Sequence, residues 1–141
     1  MLVKKDRVII DTNLWISFLL TKEFSNLDSL FSPPIVTLIF SQELLEEFLE
    51  VASRPKFKKY FTLMDLEELL IQMQEHAEFV EVISQVELCR DQKDNFLLSL
   101  AKDGKADYLI TGDKDLLEIG QLENTPIITI SQFLKLKSEK K

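Results

Sequence analysis

The stretch VIIDTNLWISFLL, residues 8–20, decides how the chain reads. Val8, Ile9 and Ile10 form a short apolar run, Asp11-Thr12-Asn13 breaks it, and apolar residues resume at Leu14. Such a run reads as a buried strand, and Thr12 to Leu20 reads as a helix. Asp11 therefore stands at the junction of two buried elements. A turn, a helix cap, or a carboxylate wanted for its own chemistry would each explain it.

The same alternation recurs along the chain. VTLIF (36–40) is a second apolar strand, and Ser41 can cap a helix from Gln42 to about Ser53, which Pro55 ends. Ser25 to Phe31 reads as a short helix stopped by Pro33 and Pro34. Thr62, with Asp65 three residues on, opens a long amphipathic helix to about Phe79, followed by a strand VEVI (80–83). Asp91 to Asp103 is expected to be helical, with Gly104 as its stop, and YLIT (108–111) to be a strand. A short helix from Asp115 to Ile119, a strand IITI (127–130) and a helix capped by Ser131 complete the order. Short, uniformly apolar strands separated by helices imply an α/β fold, a three-layer α/β/α sandwich whose central sheet is mainly parallel. In such sheets ligands sit beyond the carboxyl ends of the strands. Asp11 and Thr111-Gly112-Asp113 both fall on that rim.

With 141 residues, no repeats and no Gly/Ser linker, the chain reads as one domain over 1–141, with 135–141 as a frayed basic tail. Apolar runs are too short to span a bilayer, and no secretory leader is evident, so no membrane association is expected. The single cysteine, Cys89, excludes an internal disulfide and suits a reducing cytoplasm; it reads as a half-buried thiol. A net charge of −7 argues against a general basic face for nucleic acid, although Lys and Arg gather at 4–7, 54–59 and 135–141.

Several acids stand where bulk solvation does not explain them. In the helix after Ser41, Leu44, Leu45, Phe48, Val51 and Ala52 share a face. Glu43, Glu46 and Glu50 lie roughly 140–160° from its centre and Glu47 only about 100° away. In DQKDNFLLSLAKD (91–103), Asp94 falls on the inner face with Leu97, Leu98, Leu100 and Ala101, whereas Asp103 points outward. Capping explains Asp94, Asp91, Asp11, Asp113 or Asp115 singly. Taken together they need more, because partly buried carboxylates without partners are costly and like charges repel unless a cation sits among them. One His (His76, expected to face solvent) and one Cys leave little for zinc, so an all-oxygen site suits Mg²⁺ or Mn²⁺. Phosphate-cradling and nucleophile-elbow motifs are missing, and three glycines make such loops hard to build.

At this point the residues resemble a known family, the PIN-domain nucleases, and within it the VapC-like toxins. RVIIDTNLWISFLL resembles the family's opening strand and acid. SQELLEEFLEVASRPKF is similar to its segment S-x-x-x-x-x-E followed by R-P-K-F. DQKDNFLLSLAKDGKADYLITGDKDLL carries A-D-Y-[LIV]-[LIV]-T-G-D-x-D-L-L nearly intact. The resemblance covers nearly the whole chain and implies a PIN-like fold. It implies that Asp11, Glu47, Asp94 and Asp113 are the catalytic, metal-binding acids, with Asp115 as an accessory ligand. Asn13 and Thr111 would orient water or carboxylates. It further implies a ribonuclease using one or two Mg²⁺ (or Mn²⁺) ions, working on RNA as the toxin of a toxin–antitoxin pair, held by a small antitoxin protein and often a homodimer. Arg54, Lys56 and Lys58 are candidate RNA contacts, or else a solvated basic patch.

Two other functions use the same parts. A structure-specific DNA nuclease shares the metal chemistry, although a short chain without arch or grip insertions favours RNA. A non-catalytic interaction module would have no need of the full acid set. A phosphatase with an Asp nucleophile usually wants a second Asp two residues on, where this chain has Asn13.

Overall fold

The computed structural model describes residues 5–22, 25–31 and 34–139. Its elements are β1 (Asp6–Ile10), α1 (Thr12–Thr21), α2 (Ser25–Phe31), β2 (Val36–Phe40), α3 (Gln42–Ala52), α4 (Leu63–Glu75), β3 (Ala77–Phe79), α5 (Gln92–Asp103), β4 (Tyr108–Ile110), α6 (Lys114–Ile119), β5 (Gln121–Leu122), β6 (Thr125–Ile128) and α7 (Ile130–Glu139). A 3₁₀ turn, Pro55–Phe57, separates α3 from α4. The strands form one sheet in the order β3-β2-β1-β4-β6-β5, parallel except for β5.

Val8, Ile9 and Ile10 are all buried, as are Leu38, Ile39 and Phe40 of β2. Successive side chains of a strand point to opposite faces, so both faces of the sheet are covered, as the apolar runs imply. This is the expected α/β sandwich. The chain leaves β1 for β2 and β3 on one side and later adds β4 and β6 on the other. The switch point therefore lies between β1 and β4, where an open α/β sheet forms its binding crevice. Asp11 and Thr111 immediately follow those two strands.

Local rules place most helix ends. Ser41 Oγ accepts from the Leu44 N–H at 3.0 Å. Thr62 and Asp65 form a reciprocal capping box. Gly104 ends α5, but in ordinary right-handed geometry, the left-handed residue being Lys105 (φ 51°). The glycine is needed for space: a Cβ there would lie 2.7 Å from Ile39 Cγ2 and 2.9 Å from the Leu100 carbonyl oxygen.

Four expectations are corrected. The long helix stops at Glu75, and the edge strand is Ala77–Phe79, not VEVI; only the Val80 N–H, donating to Phe40 O, continues the pairing. The C-terminal helix is capped by Thr129, which exchanges hydrogen bonds with Gln132, and not by Ser131. His76 is half-buried, its ring stacked on Phe31 with centroids 4.4 Å apart. The expected frayed tail is helical through Glu139, and Lys137 is ion-paired to Asp6; residues 140–141 lie outside the described residues, as do Lys4 and Pro33.

Between β3 and α5, residues 80–90 have no regular structure, yet α5 holds them with a side-chain ladder. Asn95, Ser99 and Asp103 recur every four residues on one face of α5. Asp103 accepts from the Ile83 and Ser84 amides, Ser99 from Val86, and Asn95 from Leu88 and Cys89 while donating to Cys89 O. The ladder fixes the entry to α5, and with it Asp91 and Asp94. Among the described residues, no helix is long and apolar enough to cross a membrane.

Gly104→Ala should destabilise the fold by roughly 1–3 kcal/mol, because Ile39 is core and cannot move freely. Chemical denaturation of the variant checks this, and an unchanged midpoint would contradict the close approach.

Candidate metal centre

Asp11 is 7% exposed and accepts two hydrogen bonds. Its Oδ1 takes the Asn13 N–H at 3.2 Å and so caps α1, and its Oδ2 takes the Thr111 hydroxyl at 2.8 Å. That hydroxyl in turn accepts the Asp113 N–H at 3.0 Å. One buried threonine thus links the acids that follow β1 and β4.

Asp113 caps α6 with Oδ1, accepting from the Asp115 and Leu116 amides. Capping and ligation are therefore not rival roles, since capping uses one oxygen of each carboxylate. Asp94 differs. Asp91 takes the α5 cap by accepting the Lys93 N–H, so Asp94 is not the cap. It sits in the first turn, 6% exposed, and no donor among the described residues hydrogen-bonds its carboxylate.

Asp94, Asp113 and Asp115 each bring a carboxylate oxygen to within 4.8 Å of the others. Asp11 and Glu47 stand outside that trio but within its field. Burial, then the charges of Asp113, Asp91, Asp11 and Asp115, push the Asp94 carboxyl up to about 6. Asp11 is also raised, chiefly by burial, against the pull of its bonds from Thr111 and Asn13. Burial likewise raises Glu47, with Lys93 opposing and Asp11 and Asp91 reinforcing. Glu47 is half-buried, whereas Glu43, Glu46 and Glu50 are exposed, and Glu46 Oε2 accepts a hydrogen bond from Gln42 at 3.2 Å. Of the four glutamates Glu47 alone borders the core, where the helical wheel puts it.

Asn13 contributes its backbone N–H, and its side chain is exposed. Arg54, Lys56 and Lys58 gather beyond the end of α3, with Arg54 and Lys58 lining a separate cleft. Three charged residues near the acids were not singled out from the sequence for this site. Asp91, known there only as a cap, adds its charge to Asp11, Glu47 and Asp94. Lys93 is the cation that Glu47 feels. Arg90 lines a cleft with Cys89, Asp115 and Glu118. Spacing carried one signal: Asp91 and Asp94 lie three apart on a helix start, which puts both carboxylates on one side. Cys89 is half-buried, as expected, and its thiol is raised by burial and by the acids nearby.

The residues fit a hard divalent cation. Every donor is oxygen, three carboxylates converge, and among the described residues no cation is ion-paired with Asp94. The family described as PIN domain matches the chain over residues 7–115, which runs from β1 to the start of α6 and includes Asp11, Glu47, Asp91, Asp94, Asp113 and Asp115. No curated protein matches the chain.

The Asp94 carboxyl is raised in the folded state, so the fold binds more protons than the unfolded chain between about pH 4 and pH 6. Stability must then fall as pH rises through that window, with the full penalty present above it. Asp94→Asn should stabilise the metal-free protein at pH 7.5 by roughly 1 kcal/mol, solvent screening reducing the effect, and change stability little below about pH 4. Urea unfolding with chelator present checks both limits, and a variant no more stable than wild type at pH 7.5 would contradict the burial of an unpaired charge.

Proposed function

The chain belongs to the PIN-domain family, and from that premise we propose that it is a metal-dependent endoribonuclease that hydrolyses RNA phosphodiester bonds. Proteins of this family are typically metal-dependent nucleases, and the observation that carries the reading here is the convergence of Asp94, Asp113 and Asp115 at the switch point of the sheet. Asp94, Asp113 and Asp115, with Asp11 and Glu47 beside them, would hold one or two Mg²⁺ or Mn²⁺ ions. A bound ion of this kind supplies Lewis-acid polarisation of a phosphodiester and a more acidic water.

The chain's own groups supply the rest. The Thr111 hydroxyl fixes Asp11 and Asp113 relative to each other, so two ligands are set before the ion arrives. The α1 and α6 caps hold the rotation of the same two carboxylates. Glu47, half-buried and raised towards neutrality, is suited to accept a proton from the attacking water on a carboxylate oxygen. Arg90, in the cleft beside Asp115, is placed to meet a phosphate that the acids alone would repel.

Support for RNA over DNA comes from the resemblance to toxin ribonucleases. On the same ground we propose the toxin role, a small antitoxin protein as partner, a homodimer and a cytoplasmic setting. Asp94→Asn and Asp113→Asn should each reduce cleavage of RNA under Mn²⁺ by at least about a hundredfold. Wild-type rates in either variant, with contaminating nuclease excluded, would sink the assignment, and faster cleavage of a DNA flap than of RNA would move it to DNA. Thr111→Val, which keeps the shape and removes the bridging hydroxyl, should cost about ten- to a hundredfold.

A further inference from the structure

Beyond the end of α3 the chain reads Arg54-Pro55-Lys56-Phe57-Lys58-Lys59-Tyr60-Phe61, the densest basic run among the described residues of a chain with net charge −7. Basic and aromatic residues alternate there, and the structure arranges them around a cleft of about 280 Å³ whose lining includes Ala52, Arg54, Phe57, Lys58, Phe61 and Leu66. Phe57 and Phe61 stack at 5.8 Å with their planes 24° apart. Lys56 lies over the Phe57 ring and Lys59 over the Tyr60 ring, each within about 5.3 Å of the centroid. Tyr60 is about half exposed and Leu63, at the mouth, is 71% exposed.

We infer that this cleft is a subsite for one unstacked base of a single-stranded nucleic acid, with Arg54 and Lys58 taking the flanking phosphates. The inference rests on the nuclease reading and deepens it by naming how the strand is held. Single-strand binding sites combine aromatic faces, on which any base can stack, with cations that follow the backbone. Both are present here within eight residues: Phe61 is buried beneath, and the half-buried Phe57 is the ring that reaches the cleft surface, between Arg54 and Lys58. The volume, about 280 Å³, lies just below the usual range of about 300–1,000 Å³ for small-molecule sites, enough for one planar ring system and too little for a run of peptide side chains. The charge also fits: the cations are the complement of phosphate on a chain that is otherwise acidic. Arg54 is tied to Glu50 only by an exposed pair at 3.0 Å, which a phosphate can displace at little loss. The cleft and the acids are separate but share α3: Ala52, in the cleft lining, follows Glu47 by five residues, or ~7.5 Å along the helix axis.

The test separates binding from cleavage. The full-length Asp113→Asn protein, with chelator present, is irradiated with a ~12-nucleotide RNA carrying 5-iodouridine, and the crosslinked residue is mapped by mass spectrometry. Crosslinks at Phe57 or the neighbouring Tyr60 are expected. Adding Arg54→Gln and Lys58→Gln should lower affinity about tenfold and make the slope of log K against log salt shallower by about 1.4, the value for two lost single-strand contacts. Crosslinks confined to other residues, or an unchanged salt slope in the double variant, would overturn the inference. So would protection of Lys58 from acetylation by polyglutamate but not by RNA, which would give the cleft to an acidic protein segment. Failure of the nuclease reading looks different: wild-type protein with Mn²⁺ would then leave RNA intact wherever the crosslinks fall.

Discussion

The structure depends on the placement of like charges where water is scarce. Asp11 and Asp94 are almost completely buried, Asp113 partly so, and among the described residues none has a basic partner in contact. Burying unpaired carboxylates costs stability, and the chain does not remove that cost from within. It limits it, by giving Asp11 and Asp113 amide donors at helix starts and Asp11 the Thr111 hydroxyl as well. Asp94 receives no such relief, and burial with the surrounding acids raises its carboxyl to about 6. An apo state under this strain is what a site for a divalent cation requires, since the ion's binding energy then also relieves the repulsion.

Everything around the acids serves to hold them at fixed positions. Parallel pairing of β1 with β4 brings Ile10 beside Ile110, and so Asp11 beside Thr111, one residue further on. At the opposite end of the sheet, Arg7 forks onto Glu78 and the Gly104 carbonyl, tying β1 to the edge strand and to the end of α5. Together with the Asn95, Ser99 and Asp103 ladder, this fixes α5 along its length. A helix held at both ends keeps Asp94 in place without needing any contact at the carboxylate itself.

Much of this was legible in the sequence because it follows short-range rules. Strand runs, the Ser41 and Thr62 caps, the inward face of Asp94 and the intermediate position of Glu47 all come from periodicity over a few residues. What escaped was set by contacts far apart in sequence. The edge strand took Ala77–Phe79 in place of the more β-prone VEVI because α4 ends at Glu75 and register with Leu38 to Phe40 starts at Ala77. The hairpin partner β5 is two residues long, too short for any alternation to show. Sequence could gather the acids on one rim but not rank their distances. Asp115, expected as an accessory, joins Asp94 and Asp113 in the close trio, and Asp11 stands just outside.

The central claim is that these carboxylates are held for a divalent cation, and proton release on metal binding tests it most directly. Calorimetric titration with Mn²⁺ in buffers of differing ionisation enthalpy counts the protons displaced. With the Asp94 carboxyl raised to about 6, binding should release about half a proton or more at pH 6 and close to none at pH 8. No binding at millimolar Mn²⁺, or binding without proton release at pH 6, would contradict the account.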